Sequence, residues 1–164
     1  MGSTRYTSGM SRPVALVTGA SSGIGWATSI KLASVGFDLA IVARREDALA
    51  ELATELESTH GVEVFTRPVD LSDLQDAAII VPDVLKRFGR LDALVNNAGI
   101  AECAPMSEVP LGILQRALVV NAMAPAILVR ESWEALKSSS RGVVVNLSSL
   151  SAIDPLPGCS AYGM

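Results

Sequence analysis

Aromatic side chains make up only 4% of the 164 residues, and charged ones only 18%. A core built without many rings depends on Val, Leu, Ile and Ala, and the 49% apolar content is enough for one α/β domain. Neither a disulfide nor a metal is needed at this length, since a chain of this size buries roughly 70% of its unfolded surface. Histidine is limited to His60 and cysteine to Cys103 and Cys159. That set has no metal-ligand spacing, so no metal site is expected, and two thiols in such a chain read as reduced residues of a cytoplasmic protein. Basic residues are too few to gather a polyanion. Thirteen Lys and Arg against seventeen Asp and Glu give a net charge of −4, which argues against nucleic acid as a partner. The sequence has no run of about 18 apolar residues and no apolar stretch in its first twelve, so neither a membrane partner nor a secretory leader is expected. Residues 1–12 read as a flexible extension. Met1-Gly2 opens like a myristoylation signal, but Tyr6 stands where that motif needs Ser or Thr.

From Pro13 onward, short apolar runs alternate with helical patterns, which predicts βαβ units around a parallel sheet. The runs are Val14–Val17, Leu39–Ala43, Val62–Phe65, Leu91–Val95 and Val143–Leu147. They are apolar on successive residues rather than alternating, as strands covered on both faces should be. Helices are predicted from about Ile24 to Val35, Glu46 to Thr59, Leu74 to Arg87 and Leu111 to Lys137. Leu49, Leu52 and Leu56 carry the helical repeat, and Gly36, Gly61 and Gly89 fall just past helix ends, where a left-handed residue is often needed. Residues 13–164 form one expected domain. The fourth helix contains Pro125, which has no N–H to return to the Asn121 carbonyl. This marks either a simple kink or an acceptor left open to water or ligand.

Directly after the first strand stands Thr18-Gly19-Ala20-Ser21-Ser22-Gly23-Ile24-Gly25. Strand, glycine turn and helix make a phosphate cradle. Gly19 permits the tight turn, Gly23 admits close backbone approach to a pyrophosphate, and Gly25 lets the helix lie close to the sheet. Helix N–H groups then face the anion. Ser21, Ser22 and Ile24 belong to the same cradle. At the end of the second strand the sequence reads Ala43-Arg44-Arg45, where an NAD site usually supplies a carboxylate. Guanidinium groups suit a 2′-phosphate instead, which favours NADP(H) over NAD(H) and makes Arg44 the selecting residue. The alternative is that both arginines simply open a solvated helix beside Glu46 and Asp47.

Further motifs complete the pattern. Asn96-Asn97-Ala98-Gly99 follows the fourth strand, Asn121 lies 25 positions after Asn96, Asn146-Leu147-Ser148-Ser149 closes the fifth strand, and Tyr162 stands 13 residues beyond Ser149. With the Gly-x-x-x-Gly-x-Gly spacing, this arrangement resembles the short-chain dehydrogenase/reductase family over Pro13 to Met164. Among subgroups, the 3-oxoacyl-carrier-protein reductases are similar. The resemblance implies a Rossmann-like, doubly wound α/β/α domain with strand order 3-2-1-4-5. It also places Asp70 and Leu71 beside the adenine and Asn97 and Gly99 along the adenosine.

Hydride transfer to a carbonyl leaves developing alkoxide charge, which requires a proton donor and a hydrogen-bond donor at the oxygen. The resemblance assigns Tyr162 as acid–base, Ser149 to orient the oxygen and Asn121 to hold a relay water. A free tyrosine titrates at about 10, and making it useful near neutrality takes about 4 kcal/mol. In the family a lysine four residues after the tyrosine supplies that cation, and here the position falls past Met164. The sequence therefore reads as roughly the first two-thirds of such an enzyme, incomplete at the fifth-strand side and with little turnover by itself. The complete protein is expected to act on a small carbonyl or alcohol as a homo-oligomer, either tetramer or dimer. Two other readings remain. One is a catalytically inactive dinucleotide-binding regulatory or interaction protein; the other is a sugar-nucleotide epimerase, whose glycine spacing usually differs. Trp26, Trp133 and the methionines are expected in core or interface, and His60 at a helix end.

Overall fold

The computed structural model describes residues 12–154, 156–159 and 162. Five parallel strands form one sheet: β1 (Val14–Thr18), β2 (Asp38–Ala43), β3 (Val64–Pro68), β4 (Ala93–Asn96) and β5 (Val143–Asn146), in the order β3-β2-β1-β4-β5. This is the expected doubly wound topology. Between the strands lie α1 (Gly23–Ser34), α2 (Glu46–His60), α3 (Leu74–Phe88), and α4 (Leu111–Leu118) with α5 (Ala124–Ser138).

Alternation along each strand divides the core into two layers. Leu16, Val42 and Leu94 point to one side and pack with Ile80, Val84 and Leu128. Ala15, Val17, Leu39 and Ile41 point to the other, against Ala33, Leu49, Leu52 and Leu56. Each fully buried leucine of α2 contributes roughly 1.5–3 kcal/mol relative to exposure. Gly36, Gly61 and Gly89 all take the expected positive φ, from 62° to 92°. Asp73 caps α3 by accepting from the Gln75 and Asp76 amides, a start signal that precedes the predicted Leu74.

Several sequence expectations need correction. The third strand begins at Val64, two residues late, and extends through Thr66, Arg67 and Pro68. As an edge strand it is only half-buried, so it tolerates polar residues and a terminal proline. The fifth run was expected to be interior, yet Val143 and Val145 are 46% and 44% exposed, because among the described residues β5 pairs with β4 alone. The fourth helix is not continuous. A π-turn over Val119–Met123 separates α4 from α5, and Pro125 sits in the first turn of α5. Together these segments run 28 residues from Leu111 to Ser138, and their most apolar window has a mean hydropathy of 1.6, enough by length and composition to cross a bilayer. Leu128, Ser132 and Leu136 on α5 are nevertheless buried. Trp133 is 60% exposed and so is not a core residue.

The cysteines are not two free thiols. Cys103 and Cys159 are joined in a disulfide, across 56 residues of sequence. Loop positions distant in sequence were brought together by the fold, so spacing alone could not reveal the pair, and the cysteine argument for a reducing compartment lapses. The expected flexible extension lies outside the described residues except at Arg12, whose guanidinium meets the Gly61 carbonyl and Asp38.

Candidate active site

The C-terminal ends of β1, β4 and β5 meet at the topological switch of the sheet, where neighbouring connections depart to opposite faces. Thr18, last in β1, uses its hydroxyl oxygen to accept from the Asn97 and Ala98 amides, both at 3.0 Å. Asn97 Nδ2 returns bonds to the Thr18 and Gly19 carbonyls at 2.9 and 3.2 Å. The glycine-rich turn is thus tied to the loop after β4. A Cβ on Gly25 would collide with the Gly19 carbonyl and come within 2.5 Å of Asn97 Nδ2. Gly19 needs its freedom twice, for a φ of +66° and for its approach to Ala98. Gly23 has φ +57°, with open space where a side chain would be. No side-chain hydrogen bond from Ser22 caps α1, in contrast to α3. An uncapped helix start beside glycine backbone is suited to an anion.

Two adjoining clefts share Asn97, Ala98, Gly99 and Ile100 as a common wall. The first, about 610 Å³, is lined by Gly19, Ser21, Ser22, Arg44, Asp70 and Leu71 among others. Arg45 donates to the Ser21 carbonyl at 2.7 Å and to its hydroxyl, so the second arginine braces the turn rather than standing free. Asp70 accepts from the Ser72 amide at 3.0 Å and from Arg116 at 3.1 Å. Its carboxyl is held below the ordinary range chiefly by the Ser72 backbone bond, against partial burial, with the Arg116 and Arg44 cations adding to the effect. Arg116 was not foreseen. It reads in sequence as one more helix-surface cation, and only packing brings it from α4 to the first cleft.

The second cleft, about 460 Å³, brings together Ile24, Asn121, Ser149 and Tyr162. Asn121 sits in the π-turn, where its side chain clasps the Ile100 backbone with two bonds of 2.9 Å. The hydrogen-bond register is therefore the wider one of a π-turn at Asn121, with the Ala124 amide donating to the Val119 carbonyl, and the Asn121 side-chain amide is committed to the loop. Ser149 Oγ accepts from the Ser151 amide at 3.1 Å, leaving its own O–H proton to donate elsewhere. The Tyr162 amide donates to the Cys159 carbonyl at 3.0 Å. Asn96 and Asn146, paired across β4 and β5, share a side-chain bond of 2.8 Å in the lining of this cleft. Gly25 is buried beneath the first turn of α1, where it serves packing. Among the described residues no group of three or more His, Cys, Asp or Glu gathers as a metal site.

Residues 13–164 match the short chain dehydrogenase family. The chain belongs to that family. A short chain dehydrogenase of Pseudocercospora fijiensis (strain CIRAD86) is 37% identical over 160 residues, which are 96% of this chain and 52% of the relative. Among solved structures, the L-sorbose reductase of Gluconobacter frateurii, complexed with NADPH and L-sorbose, superposes with a TM-score of 0.89 at 32% identity, covering 94% of this chain and 59% of that one. An NAD+-bound xylitol dehydrogenase gives 0.85 at 29% identity, covering 92% and 58%. The chain thus spans between half and three-fifths of the length of these short-chain dehydrogenase relatives.

Proposed function

We propose that this chain carries the dinucleotide site and reacting centre of an NADP(H)-dependent oxidoreductase that reduces a small carbonyl compound or oxidises the matching alcohol. The observation that supports this reading is the pair of clefts with a shared wall, one cationic and beside the glycine turn, the other containing hydroxyl groups. A dinucleotide needs two such compartments. Gly19, Ser21, Ser22, Gly23 and Ile24 would hold the diphosphate, Asp70 and Leu71 the adenine side, and Asn97 and Gly99 the backbone of the cleft. Arg44 would meet a 2′-phosphate through charge-assisted bonds. The bound nicotinamide supplies or accepts hydride. Ser149 donates its free proton to the substrate oxygen, and Tyr162 delivers the proton that completes reduction at the same oxygen. Asn121 has its side chain engaged, so its main-chain carbonyl is the group left to hold a relay water. Pro125, four residues on, has no N–H to compete for that carbonyl.

Relatives that bind NADPH or NAD+ carry the names of a reductase and a dehydrogenase, which weighs against the non-catalytic alternative. The same pair leaves the 2′-phosphate to be decided by this chain's own arginines. Sugars and polyols head the substrate panel because of those names, with oxoacyl thioesters included for the acyl-carrier subgroup. Homo-oligomerisation would use the exposed apolar residues of α4 and α5, including Leu111, Leu118 and Trp133.

Titration with NADPH and NADH is the test. NADPH should bind more tightly, and R44E should weaken NADPH by about 2 kcal/mol, roughly thirtyfold, while leaving NADH little changed. Failure of both dinucleotides to bind would overturn the assignment. Equal effects of R44E on both would remove Arg44 as the selecting residue.

A further inference from the structure

The Cys103–Cys159 pair occupies a place that the proposed hydride chemistry leaves unused. Cys103 is exposed in the loop between β4 and α4, two residues beyond Ala101 in the wall of the second cleft. Cys159 is buried, 8% exposed, in the turn whose carbonyl accepts the Tyr162 amide proton. The bond between them therefore joins the two walls of that cleft, one carrying residues 97–101 and the other Tyr162. Little regular structure otherwise holds these walls. Between β4 and α4 only a three-residue turn, Met106–Glu108, is helical, and among the described residues after Ser149 the helical turn is Leu150–Ala152.

We propose that Cys103 and Cys159 form a thiol–disulfide modification site, oxidised by a low-molecular-weight disulfide such as glutathione disulfide, that fixes Tyr162 against the rim of the cleft. The function of the clasp rests on the reading of Tyr162 as the acid–base group; the bond itself does not. The exposed Cys103 thiolate attacks the small disulfide, forming a mixed disulfide and releasing one thiol. Cys159, losing its proton, displaces the second thiol and closes the intramolecular bond. Two protein thiols are oxidised, one small disulfide is reduced to two thiols, and the electrons balance. Buried Cys159 resolves and exposed Cys103 starts the exchange, an order set by access. Opened, the turn carrying Cys159 and Tyr162 is released from the wall of residues 97–101, which stays held by Asn121 and by the bonds of Asn97.

The chain has only two tyrosines, Tyr6 and Tyr162, so fluorotyrosine labelling yields two resonances, with Tyr6 as internal reference. The full chain is reduced with dithiothreitol or equilibrated with glutathione disulfide, then followed by intact mass, by fluorine NMR and by NADPH titration. Oxidation should remove about 2 Da and shift the Tyr162 resonance, and reduction should reverse both. C103S should behave as the reduced protein under either condition, and C159A should repeat that result if C103S folds poorly. An unchanged mass with glutathione disulfide, or bond formation that leaves the Tyr162 resonance where it was, would overturn the proposal. If the resonance responds while NADPH fails to bind, the modification site stands and the oxidoreductase reading falls.

Discussion

Asp92 shows what one buried carboxylate does in this fold. Its side chain is 1% exposed, with Oδ2 accepting from the Val14 amide and Arg90 Nε, both at 2.8 Å. Oδ1 accepts from Arg90 Nη2 at 2.7 Å and from Ser139 Oγ at 2.6 Å. Burial pulls its pKa upward, but the bonds from Arg90, Ser139 and Val14 together outweigh that and hold it below the ordinary carboxylate value. A depressed folded value means that Asp92 stabilises fully above its unfolded pKa of about 3.9 and loses this contribution as pH falls through the lower folded value. D92A should lose about 1–3 kcal/mol in urea denaturation near neutrality, since the buried Val14 amide and the Ser139 hydroxyl lose their acceptor. The gap to wild type should narrow only in acid below about pH 4. At Gly25 the argument is steric. G25A must push the glycine turn away from Asn97, so about 1–3 kcal/mol of stability and most dinucleotide binding should go, read by denaturation and NADPH titration. All three glycines of the cradle, Gly19, Gly23 and Gly25, were legible in the sequence. Asp92 was not: a carboxylate inside an apolar run shows no partners until Val14, Arg90 and Ser139 converge on it.

Among elements, the π-turn between α4 and α5 decides most about the site. A regular helix through residues 119–123 would rotate Asn121 relative to Ile100, and the two bonds between them could not both form. N121A should therefore cost about 0.5–1.5 kcal/mol, because Ile100 loses donor and acceptor together at a solvent-accessible place. The same change should weaken NADPH by loosening the wall that both clefts share, whereas N121D should keep the bond from the Ile100 amide and recover part of the loss. Pro125 signalled an interruption in sequence. The extra residue per turn was not legible, since apolar periodicity over 111–138 looks the same whether one turn is wide or not. β3 illustrates the opposite error: Arg67 and Pro68 do not look like strand residues until the edge position that accommodates them is known.

For the whole molecule, the sheet has two unlike edges. β3 is shielded by half-buried and charged side chains, including Arg67 paired with Asp83 at 3.0 Å, while β5 presents exposed Val143 and Val145. An open, flat, apolar edge pairs readily with another chain. The isolated 164-residue polypeptide should accordingly self-associate, and V145K should shift light scattering toward smaller species without altering dinucleotide affinity. No change with V145K would locate any association elsewhere.

The succession of strands and helices along the chain and the glycine-rich turn were determined by the sequence alone, because local backbone preference and apolar periodicity act over a few residues, and the meaning of the spacing from Ser149 to Tyr162 came from the family resemblance. The meeting of Arg116 with Asp70, the grip of Asn121 on Ile100, the joining of Cys103 to Cys159 and the exposure of β5 were decided only by tertiary structure. Each depends on groups separated by 21 to 56 positions, or on which neighbour a strand lacks. Nothing in a local pattern carries the distance between such groups; it is set when the helices pack on the sheet.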